Sequence, residues 1–228
     1  MSADAMHWMV QLTATDAPAL PAPWLMQLWL SLGWGVVLAA AVAVVGKAWP
    51  VRGRMAAAAF VALACWVGGP YAPTHWLGMA FQSPSITSVL LCAVFLYGAF
   101  SRSTQRGHPL GAAGSCWQLA LALLGVVLGW VLLLDTLAVL PIVVYAWGFS
   151  PVATAAAFAV LMVPWLCHRG ERAMDATLWV APLAVLSFAA LRLPTGNLWD
   201  ALLDPWLWVA LHVYSIRGLI QVSRRSKA

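Results

Sequence analysis

Long apolar blocks, nearly free of charge, alternate along this chain with short polar connections. The blocks fall at about 24–46, 54–69, 84–101, 112–134, 151–167, 175–192 and 205–221. An α-helix needs roughly 17–25 predominantly apolar residues to cross a hydrocarbon core. The pattern therefore predicts an all-α fold, a polytopic bundle of seven transmembrane helices. The shorter blocks sit near the lower limit and are expected to reach into the interface or to lie in locally thinned bilayer.

Punctuation supports these boundaries. Ser83-Pro84, Ser150-Pro151 and Asp204-Pro205 each place a capping oxygen just before a proline, and Ala22-Pro23 opens the first block without one. A proline at the first helical position loses nothing, since its missing N–H would be unpaired there anyway. The rising blocks end near Pro70, Pro141 and Pro194. Two starts share the string SPxxT, Ser83–Thr87 and Ser150–Thr154, which suggests one helix followed by three hairpins of similar plan. Both hairpin duplication and the common demands of capping would produce that likeness. The apolar connections 70–84 and 136–149 have the composition of re-entrant segments.

Charge then fixes the orientation. Eleven of the twelve Lys and Arg residues fall in four clusters on one side: Lys47, Arg52 and Arg54; Arg102 and Arg106; Arg169 and Arg172; Arg217, Arg224, Arg225 and Lys227. Such an excess marks the cytoplasmic face. The N-terminus is accordingly expected outside and the C-terminus in the cytoplasm. Residues 1–23 form an extracytoplasmic segment, 24–221 the membrane domain and 222–228 a basic cytoplasmic tail. Residues 1–23 carry Asp4 and Asp16 and no basic residue, unlike a signal peptide. Met6–Leu12 suits a short interfacial helix, with Trp8 at headgroup depth.

Composition sharpens this picture. The 228 residues are 63% hydrophobic and 8% charged, against roughly 25% charged in soluble domains. An integral protein of a plasma membrane, the bacterial inner membrane, is the expected location. The net charge of +5 is scattered over short loops and gives no nucleic-acid footprint. Most of the fifteen tryptophans fall near block ends, as in interfacial belts. Small residues at four-residue spacing, Ser31, Gly35, Ala39 and Ala43, together with the Gly125–Gly129 GxxxG, are expected helix contacts.

The chemistry is sparse. The only lysines, Lys47 and Lys227, lie in cytoplasmic segments, which removes a retinal Schiff base in the last helix. His75 and His212 are candidate cofactor ligands, for a haem near the outer surface, although no cofactor is required by the pattern. His108, Cys116, Cys167 and His168 contain zinc-ligating atoms without any compact metal spacing, so no metal site is expected. No GxSxG, HExxH or phosphate-binding loop is present. Asp135 follows four apolar residues and precedes another apolar run, and with Tyr145, Arg192, Asp200 and Asp204 it makes a possible polar cluster at the outer mouth.

Function follows mainly from what is missing. The leading expectation is a non-catalytic subunit or assembly factor of a larger inner-membrane complex, with lipid and other membrane subunits, or copies of itself, as partners. The alternative is a transporter of a small, apolar or lipid-like solute. A membrane redox or lipid-modifying enzyme using His75, Asp135 and His212 comes third. A subunit should expose small-residue faces, a transporter should hold a cavity, and an enzyme should bring those three residues together.

Overall fold

The computed structural model describes residues 20–101, 116–167 and 176–225. His7, Trp8, His108, His168, the basic residues at 102, 106, 169, 172 and 227, and the interfacial helix expected at 6–12 lie outside them. Among the described residues the chain is all-helical. Its helices are α1 (Pro23–Val45), α2 (Val51–Ala64), α3 (Pro73–Phe81), α4 (Ile86–Phe100), α5 (Cys116–Thr136), α6 (Val144–Trp147), α7 (Pro151–Leu166), α8 (Val180–Leu191), α9 (Leu198–Leu202) and α10 (Pro205–Arg225). Two are long and apolar enough to cross a membrane: α1 with its 3-10 extension to Ala48, and α5. The shorter apolar helices are α4, α7 and the 177–191 stretch.

The boundaries deviate from the sequence pattern in several places, with α8 starting only at Val180 and α10 running on to Arg225; two of the deviations have a clear local reason. The second helix starts at Val51, directly after Pro50, and stops at Ala64 rather than near residue 69. Thr74 donates to the carbonyl of Cys65 at 3.2 Å, which ties the turn after α2 to the start of α3. The fourth helix starts at Ile86 with Ser85 as its cap, two residues beyond Ser83. The backbone before it is pulled onto α1, because Trp34 Nε1 donates to Gln82 O at 2.8 Å and Trp29 Nε1 to Pro84 O at 3.0 Å. Ser150, in contrast, caps α7 as its position before Pro151 implies, accepting from Val152 N at 3.2 Å. The two SPxxT strings thus fold differently.

The connections between α2 and α4, α5 and α7, and α8 and α10 each contain one short helix, α3, α6 and α9. Contacts gather these at one end of the molecule: Phe81 stacks edge-on to Trp206 at 5.1 Å, and Trp199 Nε1 donates to Val144 O at 3.0 Å. Nine residues of α3 rise only about 13 Å, too little to cross a bilayer.

The core lies toward this end. Phe188, Val185 and Ala184 of α8 pack with Ile86, Leu193, Leu198 and Ala201, all buried. Around them stand Trp29 of α1, Leu90 of α4 and Ala157 and Phe158 of α7. Close approach elsewhere depends on small residues. A Cβ at Gly35 would come within 3.3 Å of Ala62 O on α2, and one at Gly33 within 3.1 Å of Pro84. Ala39 and Ala43, on the same stripe as Gly35, are buried; Ser31 is half-buried. The Gly125–Gly129 face packs on Leu211 and Trp208 of α10, so its partner is a helix of the same chain.

Candidate functional site

Two features draw attention: a polar network at the short-helix end and an apolar cavity between helices. The network begins with Asp135, the last residue but one of α5. Its carboxylate accepts the backbone N–H of Tyr145 at 2.7 Å. The Tyr145 hydroxyl donates instead to Asp200, also at 2.7 Å, and Thr195 Oγ1 donates to that same Asp200 oxygen. Burial, reinforced by the Asp200 carboxylate, pushes the Tyr145 hydroxyl well above its ordinary range.

Beneath this lies Asn197, which is fully buried. Its amide nitrogen donates to Tyr145 O at 2.9 Å, and its amide oxygen accepts from Trp199 N at 2.9 Å. Leu198 N completes the link, donating to Gly148 O at 2.9 Å. One buried amide thus fastens the 144–148 turn to the start of α9. Sequence reading missed it, since an asparagine in Leu-Pro-Thr-Gly-Asn looks like an ordinary solvated turn residue.

The other members of the expected cluster sit elsewhere. Asp204 joins two helix starts. Its Oδ2 accepts from both Ser85 N (2.9 Å) and Ser85 Oγ (2.8 Å), and its Oδ1 accepts from Leu207 N at 2.8 Å. One carboxylate satisfies donors at the N-termini of both α4 and α10. Arg192 lies over the Phe188 ring at 5.2 Å, on a left-handed backbone (φ 55°) that terminates α8.

Two outcomes can be measured here. Asp204→Asn offers one acceptor oxygen where three donors meet two, so an NH₂ must face either Ser85 or Leu207. Thermal unfolding in detergent should show a loss of about 1–3 kcal/mol. The tyrosine makes a pH prediction. Because the folded state holds the Tyr145 proton more tightly than the ordinary value of 10.0, its contribution is complete below pH 10. It is lost as pH rises through the folded value. The stability difference between wild type and Tyr145→Phe should therefore stay constant below pH 10 and shift against wild type above it.

His75, Asp135 and His212 do not form one constellation. His75 is exposed on α3, edge-on to Trp76 at 5.4 Å, in a helix where a loop was expected. His212 is held at both ring nitrogens. Trp130 Nε1 donates to Nε2 at 3.1 Å, and Nδ1 lies 2.9 Å from Trp208 O. This fixes the Nδ1–H tautomer and leaves neither nitrogen turned toward an iron. Among the described residues no group of three or more His, Cys, Asp or Glu side chains could hold a metal ion. Cys116 and Cys167 are exposed.

The cavity has a volume of about 550 Å³. It lies between the α5–α10 pair and the group formed by α4, α7 and α8. Leu121, Leu128, Val160, Leu207 and Leu211 supply bulk, while Ala153, Ala156, Ala157 and Ala181 leave space. Its polar lining residues are few: Thr87, Gln118, Thr177 and Tyr214. Gln118 Nε2 donates to Thr177 Oγ1 at 2.7 Å at one end, with Tyr214 also lining the wall. Trp147 and Trp199 line it toward the short helices. The volume is in the range of small-molecule sites, roughly 300–1,000 Å³.

The chain matches no protein-family model, and comparisons with curated proteins and with solved structures give no significant match.

Proposed function

We propose that this chain is an integral protein of the cytoplasmic membrane, crossing it seven times, and that it carries a lipid-like solute in the cavity beside α5. The observation that carries this reading is the cavity itself: about 550 Å³, elongated, and lined almost throughout by Leu, Val and Ala. A carrier of polar solutes would need hydrogen-bonding groups or charges near the middle of the bilayer. Here the lining holds no charged side chain and few polar ones, so an apolar occupant is favoured.

Exposure and charge support the membrane setting. The most apolar stretch of α1 is 33% buried and that of α5 only 11%, far too little for core helices of a water-soluble protein. Large side chains such as Val127, Trp130, Val160, Leu166 and Ile216 stand exposed, which suits contact with lipid tails. Among the described residues, Lys47, Arg52, Arg54, Arg217 and Arg224 lie on helices or turns at the end opposite α3, α6 and α9. Asp135, Asp200 and Asp204 lie at the short-helix end. That division favours a cytoplasmic basic end.

A second reading, a subunit of a larger complex, draws on exposed small residues. Ala56 and Ala59 on α2, and Ala155 and Ala159 on α7, are exposed at helical spacing, as faces awaiting another helix would be. One experiment separates the two. The protein is extracted gently, weighed intact by native mass spectrometry, and its absorbance recorded. A particle heavier than the 24.5 kDa chain by lipid-sized increments that persist after detergent exchange supports the carrier. Additional polypeptides support the subunit. A bare chain that binds no added lipid overturns the carrier reading.

A further inference from the structure

We infer that the occupant of the cavity is an anionic membrane lipid, with its hydrocarbon chain between α5 and α7 and its headgroup at the Gln118–Thr177 end. This rests on the carrier reading and adds the charge and orientation of the solute.

Shape selects a chain. The lining residues of α5 run from Gln118 to Leu128, ten residue steps that rise about 15 Å. Opposite them, Ala153 to Leu161 of α7 cover a similar length. Between these limits the wall is apolar apart from Tyr214, so a compact polar molecule would lose most of its hydrogen bonds to water without replacement. An extended hydrocarbon chain loses none. Access is lateral: Leu124 and Val127, beside Gly125 and Leu128 on α5, are exposed, so a chain enters from the bilayer rather than from water.

Charge selects the headgroup and its direction. At one end stand the amide of Gln118 and the hydroxyl of Thr177. Arg217, which is exposed, directly precedes Gly218, and Gly218 packs on Leu119, the residue after Gln118. Beyond the other end lie Asp135, Asp200 and Asp204. Asp200 follows directly on Trp199, and Asp204 on Leu203, both of the cavity wall. An anionic headgroup placed there would meet three carboxylates. Placed at Gln118 and Thr177, it meets hydrogen-bonding groups and a guanidinium, which favours anionic over zwitterionic lipid.

The test uses the full chain in detergent, titrated by native mass spectrometry with palmitoyl-oleoyl phosphatidylglycerol or phosphatidylcholine. Wild type should favour the anionic lipid by about fivefold for the one arginine engaged. Arg217→Gln should remove that preference while keeping phosphatidylcholine binding. Equal binding of the two lipids by wild type, or a preference that survives Arg217→Gln, overturns the inference. Ala157→Phe, which fills the cavity, reports on the carrier reading separately and should abolish binding of both lipids. Unchanged binding in that variant overturns the carrier reading itself. Ala156→Met gives the same readout with less added volume if Ala157→Phe fails to fold. Loss of binding in either filled variant, with no headgroup preference in wild type, leaves the carrier standing and removes only the inference drawn here.

Discussion

Gly148→Ala should lower the melting temperature by roughly 6–12 °C, among the largest effects of any single methyl group in this chain. The backbone at Gly148 is ordinary right-handed helical, so alanine suffers no conformational penalty there. The cost comes from what the methyl meets. A Cβ at this position would stand 2.0 Å from Asn197 Oδ1 and 2.7 Å from Trp199 Cδ1. The amide of Asn197 must swing away, losing its bonds to Tyr145 O and Trp199 N in a site with no water access. Two buried hydrogen bonds at about 1 kcal/mol each, with the penalty for groups left unpaired, sum to about 3 kcal/mol. For a chain of this size each kcal/mol corresponds to roughly 2–4 °C. Asn197→Ala should cost a similar amount for the same reason. The double variant should cost clearly less than the two singles added, because the methyl then has nothing to displace. Additive losses would show that Gly148 and Asn197 act independently and that the amide does not fasten the 144–148 turn.

The helices were legible because apolar blocks of this length have few alternatives, and the starts of α1, α4, α7 and α10 fall within two residues of where the blocks placed them. Ser150 and Asp204 were readable as caps, since a short polar side chain before a proline serves a helix start whatever surrounds it. The site residues were less legible. Asp204 reads as one more acidic residue of an outer loop, yet its second oxygen serves Ser85, 119 residues earlier. Tyr145 reads as a hydroxyl for Asp135, but the turn brings its backbone N–H there and sends the hydroxyl to Asp200. Such choices depend on which loops meet, and loop pairing leaves no periodic mark. Helices of four and five residues, α6 and α9, are equally silent because they are shorter than two turns. The cavity is a space between helices, and only the Ala-rich run from Ala153 to Ala157 hints at it.

Those loops also explain how so exposed a bundle can enclose a cavity. α10 packs chiefly along α5, while α8 joins α4, α7 and α9. The two groups are tied at one end by Asp204 with Ser85 and at the other by Gln118 with Thr177. Polar ties at both ends and a poorly filled middle suit the hydrocarbon chain proposed as its occupant. The middle gives up packing, and the ends keep the two groups in register.

The α5–α10 seam therefore sets one wall of the cavity, and its glycines should differ in a fixed order. Gly129→Ala should be the most damaging, at about 2 kcal/mol. Its Cβ would lie 2.3 Å from both Cδ1 and Nε1 of Trp208. That indole donates to Val126 O at 3.1 Å and stacks edge-on with Trp130 and His212. Moving it forfeits a hydrogen bond of about 1 kcal/mol and two aromatic contacts of about 0.5–1.5 kcal/mol each, which outweighs the roughly 1 kcal/mol of helix propensity gained. Gly125→Ala meets only the Cδ1 methyl of Leu211, at 2.6 Å. A flexible leucine can rotate aside, and the loss should be about 1 kcal/mol. At Gly53 nothing stands within 4 Å, and alanine there should be neutral or stabilising by up to about 1 kcal/mol. Thermal unfolding of the three variants in one detergent tests the order. If Gly129→Ala unfolds no earlier than Gly53→Ala, Trp208 does not hold α10 to α5. The seam would then be free to open, and the cavity would lose a fixed wall.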